Sequence, residues 1–469
     1  MPLDPTPIDP RWAWEPYRPS DAAPWNLRRV GHLHRRAGFG ATYAELQEGV
    51  RLGPTALVDR LLNGGPGQDE FDRDLAPLAA SIAGANNAAQ LRAWWLHRML
   101  YTPHPLREKM TLFWHNHFAT SNAKVQNAAF MLAQYELMRK YALGGFGAML
   151  LEMSTRDRAM LVWLDGKGSA KGNPNENYAR ELMELFSLGI GHYTEKDVRE
   201  AARAFTGHDL RGAELVFNEN NHDAGTKTIL GKSGTFRAGD VVGICLEQKA
   251  CPRFLVTKLF KFLVSETIAP SEELLAPLCE QLRKSDYDFG ALVATVLRSN
   301  LFFSERAYRT KIKSPVEFAL GIVRGLEGRI GTTVLADALE LLGQNVFNPP
   351  SVKGWDGGPT WLNGQTLLYR QNLALALTST EDPRFGRRTD PAALAKKHGR
   401  PTQEQALALF ADVFYQGDLP AASRERLAVY AQKEKADTLP VYWTAEDAAN
   451  HRVRALCHLV LTQPEFQLN

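Results

Sequence analysis

At 469 residues, with 44% hydrophobic and 23% charged side chains, the chain has an ordinary globular composition. It is long enough to build a large apolar core without help from a disulfide or a metal. A net charge of +3 argues against a nucleic-acid partner, which requires a strongly basic face. The four cysteines, Cys245, Cys251, Cys279 and Cys457, have no C-x-x-C spacing. Zinc-ribbon and redox motifs are therefore excluded, and buried free thiols are expected.

Residues 1–25 hold seven prolines and three tryptophans, Trp12, Trp14 and Trp25. This composition reads as an extended arm that docks by its tryptophans. No leader-like pattern opens the chain and no run of 18 apolar residues follows, so it is expected not to be transmembrane and to be cytoplasmic. From residue 26 to 469 a single large helical domain is expected. Apolar side chains recur at three and four over 42–48, 54–62, 88–101, 105–118, 125–141, 174–188, 195–205 and 252–265. The same period continues over 272–283, 289–298, 315–326, 334–342, 364–377, 403–415, 421–431 and 447–461. Asn173, with Pro174 next and Glu176 three residues on, reads as a capping box, and Ser314-Pro315-Val-Glu317 repeats the pattern. Strand-like runs at 213–217 and 226–230 flank a loop rich in Asn, His and Asp. They predict one small β-hairpin excursion within about 213–242, giving a mainly α fold. Irregular segments at 165–173, 345–362 and 379–400 are long enough to suggest a functional or linking role.

Three stretches concentrate chemistry. In Phe113-Trp-His-Asn-His-Phe-Ala-Thr-Ser121, helix geometry puts Leu106, Met110, Phe113 and His117 on one face. His115 falls about 200° away, so the two histidines cannot share a metal on an intact helix. The bland reading is one core and one surface histidine; the functional one makes His117 a ligand or an acid–base group. In Asn173–Glu184, the spacing of Glu176, Arg180 and Glu184 fits a solvated ion-pair ladder, while Glu181 sits beside the apolar stripe and can reach a cleft. The loop Asn220-Asn-His-Asp223 is explained either by Asx turns or by an Asp223 carboxylate orienting His222 for catalysis or ligation, with His208 able to join them. Trp355 and Trp361, in a Gly- and Pro-rich loop, are candidate binding residues if their faces are exposed, and core plugs if not. Gly225–Ser233 has five residues rather than four between its glycines, so it is not a P-loop, and neither G-x-S-x-G nor H-E-x-x-H occurs.

Several ordered blocks carry a resemblance. Arg35-Arg-Ala-Gly-Phe-Gly-Ala-Thr42, Phe113–Ser121, Glu176-Asn-Tyr-Ala-Arg-Glu-Leu182, Phe205-Thr-Gly207, His222-Asp-Ala-Gly-Thr-Lys227, Arg253-Phe-Leu-Val-Thr-Lys258 and Val352-Lys-Gly-Trp355 are similar to blocks of a bacterial family of unknown function, numbered 1800 in the domain-of-unknown-function series. The resemblance spans about 26–469 and implies a mainly helical fold. It also implies frequent export and proximity to sulfatase-like proteins, hence envelope or extracellular polymer processing by association. His208 stands where the family pattern leads one to expect tryptophan.

These readings converge on an enzyme with a buried His/carboxylate site built from His117, Arg180, Glu181, His222 and Asp223. A divalent metal is a candidate cofactor, held by His117, Glu181 and His222, with His115 and His208 as second choices. The expected reaction is hydrolysis or oxidation of a polar substrate, saccharides being the first class to test. The rival is a non-catalytic helical module that binds a glycan, or a sulfatase-like partner protein, through its tryptophans.

Overall fold

The computed structural model describes residues 6–432 and 443–469, so the first five residues of the arm fall outside it. The protein is mainly α. Two large apolar cores organise the helices, and a third, small cluster gathers Ile312, Trp355 and Trp361. The Pro105–His117 helix lies between the two large cores, giving Met110, Phe113 and Trp114 to one and Leu112 to the other. Its polar positions are buried as well. Glu108 accepts from Trp95 Nε1 at 3.0 Å, Tyr135 Oη at 2.9 Å and Arg139 Nε at 2.6 Å. Lys109 is ion-paired to Glu317 across the core. Buried charges of this kind hold register only because each has a partner.

The arm docks through two of its three tryptophans. Trp14 Nε1 donates to the Leu274 carbonyl at 2.7 Å and Trp25 Nε1 to the Gly49 carbonyl at 3.0 Å, while Trp12 stays exposed. Among the described residues no helix is long and apolar enough to cross a membrane. The helix written at 42–48 and 54–62 is continuous from Tyr43 to Asn63 apart from a break at Gly53, whose φ is +80°. The Ser314/Glu317 capping box forms as expected.

Two local expectations are corrected. The strands at 213–217 and 226–230 do not pair with each other; each belongs to its own hairpin. β1 (His208–Arg211) pairs with β2 (Glu214–Phe217), and β3 (Lys227–Ile229) with β4 (Lys232–Gly234). The turn chemistry explains this. Leu230 and Gly231 both have positive φ, as a two-residue type I′ loop requires, and Gly212 supplies positive φ at the first hairpin's turn. The capping box at Asn173 does not form either. The helix starts at Asn177, three residues after Pro174, and passes at Leu182 into a π-helical turn that ends at Ser187. Asn175 holds the preceding segment out of the helix: its amide nitrogen donates to the Asp165 carbonyl at 2.6 Å and its side-chain oxygen accepts from Asn177 N at 2.9 Å.

Candidate functional site

The positions expected to form one site lie in different surroundings. His117 is 2% exposed, and its ring packs among Phe113, Trp114, Phe118, Phe146, Phe186 and Phe254. Its Nε2 meets the Phe186 carbonyl at 3.0 Å. A carbonyl only accepts, so Nε2 carries the proton. Burial, with Lys258 nearby, holds the imidazole far below its ordinary range, so it is neutral. His115 is buried too: its Nε2 accepts from Phe347 N at 3.0 Å, and burial lowers it to about 3. Both histidines of the motif face cores, which the helix can do because it is sandwiched between two of them.

Arg180 lies towards the surface, paired with Glu195 at 2.7 Å and with Glu176 at 3.3 Å. Glu181 is half-buried, and burial, with Glu184 beside it, raises its carboxyl. Asp223 does not orient His222. Its carboxylate is taken by Arg203 at 2.7 and 3.2 Å, and that bond holds it down at about 2. His222 is instead fixed by the Thr206 carbonyl, 3.0 Å from Nδ1. Trp355 and Trp361 are each 8% exposed and pack on Ile312, so their faces plug the protein rather than present a platform. Among the described residues no three His, Cys, Asp or Glu side chains gather as a metal site, so His117, Glu181 and His222 do not converge.

A different set does converge. An enclosed cavity of about 30 Å³ is lined by Ser154, Asp157, Ser169, Asn175, Tyr178 and His208, with Met153, Met160, Leu161, Leu164, Phe205 and Leu215 as its apolar wall. Beside it an open groove of about 390 Å³ runs past Thr155, Arg156, His208, Phe217 and Arg237. His208 borders both. The cavity alone has room for about two waters, so a ligand of any size lies in the groove and reaches the cavity with a single polar group.

Each polar group is placed by local structure. The Phe146–Thr155 helix ends at Arg156, and Asp157 caps the Arg158–Trp163 helix. Asp157 Oδ1 accepts from Met160 N at 2.5 Å and from Gln134 Nε2 at 2.9 Å. Both bonds fall on Oδ1, leaving Oδ2 as the oxygen able to meet a ligand. Burial pushes this carboxyl up to about 6, because two neutral donors do not repay the loss of hydration. Tyr178 Oη donates to Ser154 Oγ at 2.6 Å, and Ser169 Oγ accepts from Asn175 N at 3.0 Å. His208 Nδ1 points at the Phe205 carbonyl at 3.3 Å, so Nδ1 carries the proton and Nε2 has the free lone pair. Burial lowers this histidine as well, which keeps it neutral.

The loops that close the cavity are stitched by backbone bonds. Gly207 N donates to the Ser169 carbonyl at 2.9 Å, Asn218 N to the Gly207 carbonyl at 2.8 Å and Lys171 N to the Asn221 carbonyl at 2.7 Å. The glycine of Phe205-Thr-Gly207 is needed there. Its φ is +92°, and a Cβ would lie 2.9 Å from the Asn218 carbonyl oxygen and 3.2 Å from His222 Cβ. The first two chemistry-bearing stretches reach this place through residues other than those expected, and the third touches only its edge. Gln134 Nε2, which holds Asp157, also donates to Thr120 Oγ1 of the first stretch at 3.0 Å. Asn175 and Tyr178 come from the second. The third supplies His222, whose ring shares the Phe217 ring with His208, at 5.4 and 5.0 Å.

A family model described as a protein of unknown function, DUF1800, matches residues 32–468. The chain belongs to the DUF1800 family. No curated protein and no solved structure matches it. The matched region takes in the whole cavity and groove, so the pocket is built entirely from the family domain. Asp157, Ser154 and Ser169 were not singled out from the sequence. The available signals were an Asp at a helix start and the irregular 165–173 segment, which does line the cavity.

Proposed function

We propose that the cavity and groove between Asp157 and Phe217 form the active site of a hydrolase that acts on a polar, saccharide-type substrate. One observation carries this reading: a carboxyl raised to about 6 and a neutral histidine with a free Nε2 border the same enclosed space. Groups whose surroundings push their acidities to opposite sides of their ordinary values are suited to paired acid and base roles. His208 Nε2 takes a proton from the attacking water, and the Asp157 carboxylic acid gives one to the leaving oxygen. In the groove, Phe217 is 37% exposed and Arg156 offers donors for hydroxyl or carboxylate groups, while Arg237, paired with Glu219 at 3.0 Å, lies 5.1 Å over the Phe217 ring and covers one of its faces. The convergence described above requires no metal in the acid–base pair.

The test is a panel of chromogenic glycosides, uronides and sugar esters, assayed with wild type, Asp157→Asn and His208→Gln. Turnover that drops at least a hundredfold in both variants, with unchanged circular dichroism, supports the assignment. Turnover that survives both substitutions contradicts it.

A further inference from the structure

The Arg35–Thr42 stretch takes no part in the acid–base pocket, yet it borders a second, partly open cavity. This space, about 30 Å³, lies between the Leu27–Arg36 helix, the Pro315–Gly325 helix and the C-terminal segment. Arg35, Lys313, Glu317, Gln416 and Asn469 form its polar wall, and Phe39 and Phe466 face them. A single water needs about 10–15 Å³ of such space, so the cavity has room for a small polyatomic ion and none for a nucleotide.

Its surroundings carry an excess of buried positive charge. Arg35, Arg36, Lys109, Lys311, Lys313 and Arg370 are all at least nine-tenths buried. Among the described residues two carboxylates pair with them directly: Glu317, with Lys109, and Glu266, 2.8 Å from Lys311. The others rest on neutral acceptors. Lys313 Nζ donates to the Phe466 carbonyl at 2.7 Å and stands 3.5 Å from the Phe466 ring centre. Arg370 donates to the Lys313 carbonyl at 2.7 Å and to Gln467 Oε1 at 3.0 Å. Arg36 Nη2 donates to the Ala307 carbonyl at 2.7 Å and to Asn469 O at 3.2 Å. Arg35 donates to Gln416 Oε1 through Nη1, but its Nε and Nη2 are buried without a hydrogen-bond partner, as is Asn469 Nδ2. Unpaired guanidinium nitrogens in a protein interior are costly, and the Arg35 side chain borders the cavity.

We infer that this cavity binds a small oxyanion of phosphate or sulfate size, with Arg35 and Lys313 as its charged ligands and Asn469 Nδ2 as a neutral donor. A guanidinium presents two parallel N–H donors to such an oxyanion, and burial holds the Lys313 amine well below its ordinary value, so a bound anion restores the charge that burial disfavours. The site is separate from the acid–base pocket and shares no lining residue with it. Its occupant completes the junction between the Leu27–Arg36 helix and the C-terminal segment.

Isothermal titration calorimetry of the full chain with inorganic phosphate and with sulfate, against acetate and chloride at matched ionic strength, tests this. Ion chromatography of the supernatant after acid denaturation distinguishes an anion carried through purification from one that binds only when added. Saturable binding of phosphate or sulfate, or its stoichiometric release, is expected. Affinity should fall at least tenfold in Arg35→Gln and in Lys313→Met. Should either variant fail to fold, wild-type crystals soaked in selenate decide, with the anomalous peak expected between Arg35 and Lys313. Absence of both saturable binding and released anion in the wild type, or a selenate peak only outside the cavity, overturns the inference.

Discussion

Asp157→Asn should separate stability from function. The wild-type carboxyl rises from 3.8 to about 6 on folding because burial outweighs its two neutral donors and the pull of Arg158. At 1.36 kcal/mol per tenfold change, that rise costs the folded state about 3 kcal/mol at neutral pH. The sign follows from linkage. A carboxyl whose folded value exceeds its unfolded one imposes no cost below 3.8, a growing cost between about 4 and 6, and its full cost above. Asparagine keeps an Oδ1 to accept from Met160 N and Gln134 Nε2 but carries no charge. Urea denaturation of both proteins between pH 4 and 7 should therefore give a difference near zero at pH 4, growing to about 2–3 kcal/mol in favour of the variant at pH 7. The difference curve cancels acid-labile groups elsewhere, such as Asp223. Activity should be lost over the same range, the trade expected of a strained functional residue. A flat difference curve, or a variant less stable than wild type at pH 7, would refute the reasoning.

Three further expectations follow from the same geometry. Turnover should need His208 neutral and Asp157 protonated, so kcat/KM should fall as pH rises through about 6 and fall again on the acid side of the lowered histidine, which a pH–rate profile reads directly. His117→Ala should cost about 2–4 kcal/mol of stability by emptying the aromatic core while leaving KM and the pH profile unchanged; a selective loss of turnover without destabilisation would restore His117 as a catalytic group. Gly354→Ala places a Cβ 2.2 Å from Asn116 Oδ1 and 2.6 Å from the Asn116 carbonyl at φ +83°, and should cost about 2 kcal/mol or more in a denaturation experiment.

Much of the fold could be read from periodicity, because most of the helices present one apolar face and begin at explicit caps, as at Ser314 and Thr444. Two helices that build the cavities could not. Phe146–Thr155 is apolar nearly all round and so gives no contrast at 3.6 residues, while Leu27–Arg36 buries Arg29, His32, His34, Arg35 and Arg36, which look like a solvated face. The site was legible by stretch but not by residue. Helix geometry correctly turned His117 inward, yet inward meant a core rather than a cleft. Asp223 sits next to His222 in sequence, but Arg203 is the stronger partner for a carboxylate, and a backbone carbonyl orients the imidazole instead. Asp157 gave little signal because an Asp at a helix start is ordinarily only a cap. What makes it chemical is burial, which only tertiary structure reveals.

The most direct test of the account is a crystal structure of the protein soaked with short saccharide fragments. A sugar ring is expected against Phe217, with an oxygen within hydrogen-bond distance of His208 Nε2 and another facing Asp157 Oδ2. Fragments bound reproducibly elsewhere, with the Asp157–His208 cavity left empty at saturating concentration, would contradict it.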